Sequence, residues 1–128
     1  TVIENKDNDR KKKRIHENLT RTEIEFLTKC SACVITNMEK ANFDVNTFAS
    51  QMNMSRMQLF RKMKALTNQS PSEFIRVVRI RKAADLLKQR YGNIAEVAYE
   101  VGFNNLSYFA KCFRDVYGTN PSQYVKLE

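Results

Sequence analysis

The sequence predicts an all-α protein of about seven helices, arranged as two helix-turn-helix subdomains joined by a long linker helix. Three observations lead there. The 128 residues include only 3 Gly and 2 Pro, too few for the turns of a sheet protein. The chain repeats itself. Val45, Phe48, Ala49 and Met52 recur as Ile94, Val97, Ala98 and Val101 at an offset of 49, and Leu59, Met63, Leu66, Asn68, Pro71 and Phe74 recur as Phe109, Phe113, Val116, Gly118, Pro121 and Tyr124 at an offset of 50. Between the copies, Ser72 to Arg90 contains no helix breaker.

Taken in order, residues 1–19 read as a charged tail or interdomain linker: residues 1–18 lack apolar periodicity and carry the basic run Arg10 to Arg14. Such a run is either a solvated segment or an arm adding phosphate contacts. Residues 20–70 read as the first helix-turn-helix subdomain. It opens on Thr20 and Glu23 at capping-box spacing, followed by a helix whose apolar positions Ile24, Leu27, Ala32, Val34, Ile35 and Met38 carry it to about Ala41. Residues 71–91 read as the linker helix and 92–128 as the second subdomain.

Matched positions of the two copies ask for the same physics. Asp44 and Asn93 suit the N-cap of a short helix, and Glu96 adds the reciprocal carboxylate in the second case. Asn68 and Gly118 are the residue types that best tolerate the left-handed conformation ending a helix. Ser70-Pro71-Ser72-Glu73 and Asn120-Pro121-Ser122-Gln123 each read as N-cap, Pro at the first helical position and Glu or Gln at the third. Each copy is thus a helix of about eight residues, a short turn (Asn53-Met54-Ser55 or Gly102-Phe103-Asn104), and a helix of about eleven.

Charge narrows the function. The excess of 22 Lys and Arg over 14 Asp and Glu gives a net charge of +8 and a pI near 9.6, which favours a polyanionic partner. In RMQLFRKMKAL (56–66), Leu59, Met63 and Leu66 form the inward stripe, leaving Arg56, Arg61, Lys62 and Lys64 with no acid among them. Ordinary solvated faces mix signs, so a one-signed face on the helix that would enter a groove favours DNA. In LSYFAKCFRDV (106–116), Phe109, Phe113 and Val116 point inward and Leu106, Ser107, Ala110, Lys111 and Arg114 outward. Small residues such as Ser107 and Ala110 let a backbone approach bases or a thymine methyl, and the Tyr108 hydroxyl is a candidate phosphate ligand. The linker carries Arg76, Arg79, Arg81, Lys82, Lys88 and Arg90 against Glu73 and Asp85. At roughly 28 Å it approaches the ~34 Å between successive major grooves, so one chain would read an asymmetric site of about 20 base pairs.

Other chemistries find little support. Cys30 and Cys33 sit mid-helix at i and i+3, and the one histidine, His16, lies in the tail, so the cysteines read as buried small hydrophobes and no metal, cofactor or catalytic residue is expected. The 3 cysteines fit a reducing compartment, and no apolar run approaches the ~18 residues of a membrane span. A cytoplasmic, non-enzymatic protein without membrane contact is expected. The rival readings are a basic helical protein-interaction module of a signalling protein and an RNA binder, the latter disfavoured for want of evident exposed aromatics to stack unpaired bases.

The stretch NIAEVAYEVGFNNLSYFAKCFRDVYGTNPSQY (93–124) resembles the signature region of the AraC/XylS family of bacterial transcription regulators. Its most specific marks are Ala98, Gly102-Phe103, Ser107-Tyr108-Phe109, Phe113-Arg114, Gly118 and Pro121, with Ser55, Leu59, Phe60-Arg61 and Pro71 to Phe74 as looser counterparts. The resemblance covers about residues 22–125 and implies two homeodomain-like units bridged by a long helix. It also implies base contacts by Arg56, Met57, Phe60 and Arg61 in the first unit and by Leu106, Ser107, Ala110 and Lys111 in the second. Ser55, Lys64, Asn105, Tyr108 and Arg114 fall on phosphate-facing or structural positions. Met57 and Phe60 would shift the first unit toward apolar contact and shape readout. The implied partner is double-stranded operator or promoter DNA, with RNA polymerase and a second copy, held through domains absent from this chain, as further candidates. The charged lead-in resembles the output end of hybrid two-component sensors, and an activator is the expected role.

Overall fold

The structure is a computed structural model that describes residues 19–127. These residues form seven α-helices and no strand: α1 Arg21–Thr36, α2 Val45–Gln51, α3 Arg56–Thr67, α4 Pro71–Lys88, α5 Ile94–Glu100, α6 Leu106–Tyr117 and α7 Pro121–Leu127. The basic run Arg10 to Arg14, expected in a tail, lies outside the described residues.

Helix starts follow the capping residues. The Thr20 hydroxyl accepts the Glu23 N–H (3.2 Å) while the Glu23 carboxylate accepts the Thr20 N–H (3.1 Å), so two otherwise orphan donors are satisfied reciprocally. Ser55 with Gln58, and Asn93 with Glu96, repeat the device at α3 and α5. Ser70 caps α4, whose first residue is Pro71. Both longer helices of the repeat stop on a left-handed residue, Asn68 (φ 60°) after α3 and Gly118 (φ 75°) after α6.

Asp44 caps α2 with a charge. Its carboxylate accepts the backbone N–H of Thr47 (2.9 Å) and the Thr47 hydroxyl (3.0 Å), and the backbone bond foremost holds its pKa below the usual value. A carboxyl depressed in the folded state stabilises above its unfolded pKa and loses that contribution as pH falls through the folded pKa. The stability advantage of wild type over the neutral isostere Asp44→Asn is therefore expected at pH 7 and should close in acid. A gap independent of pH in thermal melts would contradict this.

The end of α1 differs from expectation. The apolar pattern carries it to about Ala41, but the helix stops at Thr36. The buried Asn37 side chain donates to Cys33 O (2.7 Å) and to Gln51 Oε1 of α2 (2.8 Å), so a polar group competes for the backbone where the helix would have continued. The buried stripe is Phe26, Cys30 and Val34, and Ile35 is left 54% exposed. Cys30 is packed as expected, and desolvation, helped by neighbouring Cys33, pushes its thiol pKa up to about 12. Cys33 is only half-buried, with its thiol donating to Gln51 Oε1 (3.3 Å).

Two hydrophobic clusters result. One gathers Phe26, Cys30, Val34, Phe43, Phe48, Leu59, Met63, Leu66, Phe74 and Ile75, the other Met38, Ile80, Ala83, Leu87, Val97, Val101, Phe103, Phe109 and Phe113. α4 serves both: Phe74 and Ile75 near its start join the first, Ile80 to Leu87 the second, and Val78 touches each. The linker is thus a shared core element rather than an exposed basic rod. Arg79, counted at sequence level among its cations, is buried.

Candidate nucleic-acid interface

The same backbone turn presents both recognition helices. After α2 the chain reverses at Asn53 (φ 57°), and after α5 at Gly102 (φ 96°), matched positions of the repeat. The following amides return to equivalent carbonyls, Met54 N–H to Ala49 O (3.0 Å) and Phe103 N–H to Ala98 O (2.9 Å). Each longer helix then packs its apolar stripe inward, Leu59, Met63 and Leu66 on α3 and Phe109, Cys112 and Phe113 on α6. Their outer faces are left to solvent.

On α3 that outer face holds Arg56, Met57, Phe60, Arg61 and Lys64, all exposed, with Met57 at 57% and Phe60 at 45%. On α6 it holds Leu106, Ser107, Ala110, Lys111 and Arg114, exposed except for half-buried Ala110. The two sets share one spacing, i, i+1, i+4, i+5 and i+8, which is a single stripe of an α-helix. Met57 and Phe60, three residues apart on this stripe, form a joined apolar patch between the arginines rather than scattered single residues. A shallow notch lined by Val45, Met57, Phe60 and Pro71 opens beside them.

The remaining candidates are partly engaged within the fold. The Ser55 hydroxyl accepts the Gln58 N–H (3.1 Å) and the Asn105 side-chain Oδ1 accepts the Tyr108 N–H (2.9 Å), so both side chains cap the recognition helices. Lys64 Nζ donates to Asn68 O (3.3 Å) at the end of α3, and Arg114 Nη1 donates to Asn120 Oδ1 (3.0 Å) just before α7. Lys62, grouped at sequence level with the outward basic face, instead lies over the Phe26 ring at 4.2 Å and covers α1.

One neighbour was not legible in the sequence. Tyr108 rests against the Phe103 ring (5.9 Å between centroids), and Arg76 Nη1 of α4 donates to its hydroxyl (3.5 Å). A cation on the linker thus stands beside the start of the second recognition helix. Among the described residues no group of three His, Cys, Asp or Glu could hold a metal ion, and no helix is long and apolar enough to cross a membrane.

Known proteins share this architecture. A family model described as a helix-turn-helix domain matches residues 48–127. "Histidine kinase P4" of Formosa agariphila is 42% identical over 100 residues, covering 78% of this chain and 7% of the relative. The regulator MtrA of Neisseria gonorrhoeae is 37% identical over 84 residues, covering 66% of this chain and 28% of the relative. The chain therefore spans a small part of either protein's length. Among solved structures, the C-terminal domain of AraT, a response regulator of Geobacillus stearothermophilus, shares the fold with a TM-score of 0.73 at 23% identity, covering 87% of this chain and 88% of that one. The DNA-binding domain of AdpA, in complex with a target DNA, gives a TM-score of 0.71 at 28% identity, covering 79% of this chain and 90% of that one. With two helix-turn-helix units on one shared helix and a family match over most of its length, the chain belongs to the AraC family of transcription regulators and forms the DNA-binding domain.

Proposed function

We propose that this domain recognises double-stranded DNA by placing α3 and α6 in successive major grooves. The observation that carries the reading is the common stripe, five outward positions at one spacing on both helices. Arg56, Met57, Phe60 and Arg61, and Leu106, Ser107, Ala110 and Lys111, contact bases. Ser55, Lys64, Asn105, Tyr108 and Arg114 lie where phosphates pass, the two capping residues through the helix N-termini they hold. The units divide the work unequally. α3 offers two arginines for guanine edges around an apolar Met57 and Phe60 suited to thymine methyls, and α6 offers small residues and one lysine. In this reading residues 20–70 and 92–128 are the two reading units and 71–91 the spacer between them.

The match to a histidine kinase over 7% of that protein's length supports a place at the output end of a two-component regulator. The role is then non-enzymatic and cytoplasmic, an activator that works with RNA polymerase and gains a second copy through other parts of the regulator.

Selection from random duplex DNA at near-physiological salt tests this. An asymmetric site with two short conserved blocks about one helical turn apart is expected. Arg61→Ala should then lose about 5- to 100-fold on the selected site and much less on random DNA, the worth of one bidentate base contact. Equal losses on both would make Arg61 a phosphate contact. Tight binding with no enriched sequence would sink the base-reading proposal.

A further inference from the structure

Arg79 lies at the middle of α4 and is 8% exposed, one of two buried polar side chains among the described residues. Its Nη2 donates to Lys40 O (3.0 Å), in the loop between α1 and α2, and its Nη1 donates to Gly102 O (3.4 Å), in the turn between α5 and α6. One guanidinium therefore bonds to the backbone of both helix-turn-helix units. Burial lowers its pKa, and its buried Nε has no partner, so the cation is held at an energetic disadvantage. The backbones meet at the same point, where a Cβ on Gly102 would collide with Met38 O and stand 3.0 Å from Arg79 Cζ. Met38, from the first unit's loop, also belongs to the second cluster.

Burial alone would be served at least as well by an apolar residue of similar volume, like the surrounding Ile80 and Ala83. What an apolar residue lacks is a rigid, forked set of donors that reaches two carbonyls in different units at once. We propose that Arg79 is a positioning residue: it fixes α3 relative to α6 and so sets the spacing between DNA blocks that the domain accepts. The inference rests on the two-groove reading above. A rigid pair of helices binds the matching spacing with its orientation already established and cannot satisfy both grooves at another. Without the bridge, the units still share α4 and the apolar contacts of Met38 and Val78, but lose the one side chain that bonds to the turns of both.

Two measurements test this on the whole chain, with Arg79→Met, which keeps volume, and Arg79→Lys, which keeps charge but not the fork. The first compares the selected site with versions whose spacer is one base pair longer or shorter, and with a single block. Wild type should lose about tenfold or more when the spacer changes; both variants should lose about tenfold on the matched site, hold single-block affinity, and show a spacer penalty within about threefold. The second records the distance distribution between spin labels at Ala65 and Ser122 in the free protein, which should broaden in both variants. Equal losses on every duplex, single block included, would overturn the positioning role and leave Arg79 a stabilising residue only. An unchanged distance distribution would overturn it whatever the DNA result, whereas failure to select any two-block site would count against the two-groove reading instead.

Discussion

Gly102→Ala is expected to destabilise the domain by more than about 3 kcal/mol, while Gly118→Ala should cost about 1 kcal/mol. Both glycines are left-handed, at φ 96° and φ 75°. At Gly118 an added Cβ meets nothing within 4 Å, so only the backbone term is lost. At Gly102 it meets the Met38 carbonyl, a backbone atom that cannot swing aside, and the Arg79 guanidinium behind it. Either the turn opens and α6 shifts, or the first unit's loop withdraws and takes the Lys40 acceptor from Arg79. The matched position of the first copy is Asn53 at φ 57°, exposed and bearing a side chain. Left-handedness alone thus does not demand glycine in this turn; contact between the units does. Denaturant midpoints of the two variants measure the difference, and equal losses would refute the collision argument.

Phe109→Ala should cost about 3–5 kcal/mol, a large share of the roughly 5–15 kcal/mol that holds a small domain folded. Phe109 is fully buried, packing edge-on against Phe103 (5.2 Å between centroids) and tilted against Phe113 (6.0 Å). Removing its ring opens a cavity lined by rings that cannot easily close over it. Because the two clusters share no side chain but Val78 at their margin, the damage should be local. In hydrogen exchange, amides of α5, α6 and α7 are expected to lose protection well before those of α1, α2 and α3. A uniform loss along the chain would mean that the two clusters melt as one.

Much of the fold was legible because its signals are local. Thr20 and Asn93, each with Glu three residues on, announce helix starts, and Asn68 and Gly118 announce helix ends, from interactions spanning a few residues. The duplicated apolar spacing gave the inward faces, whereas Met57 and Phe60 joined the outward set only through the family resemblance. What escaped depends on distant partners. Nothing near Asn37 reveals that Gln51 will take its side chain and end α1. Arg79 counts as one more cation of the linker until Lys40 and Gly102 close over it. Lys62 counts as an outward cation until Phe26 is folded beneath it.

The insertion of Met38 into the second cluster has a consequence for recombination among relatives. A crossover between the two halves would exchange α5, α6 and α7 but leave behind Met38 and the Ile80 to Leu87 floor on which they pack. A chimera would match only where both parents present the same shape at that seam. The inheritable module is therefore a contiguous surface rather than a contiguous segment, and grafting a new second reading head requires carrying along residues from before the first.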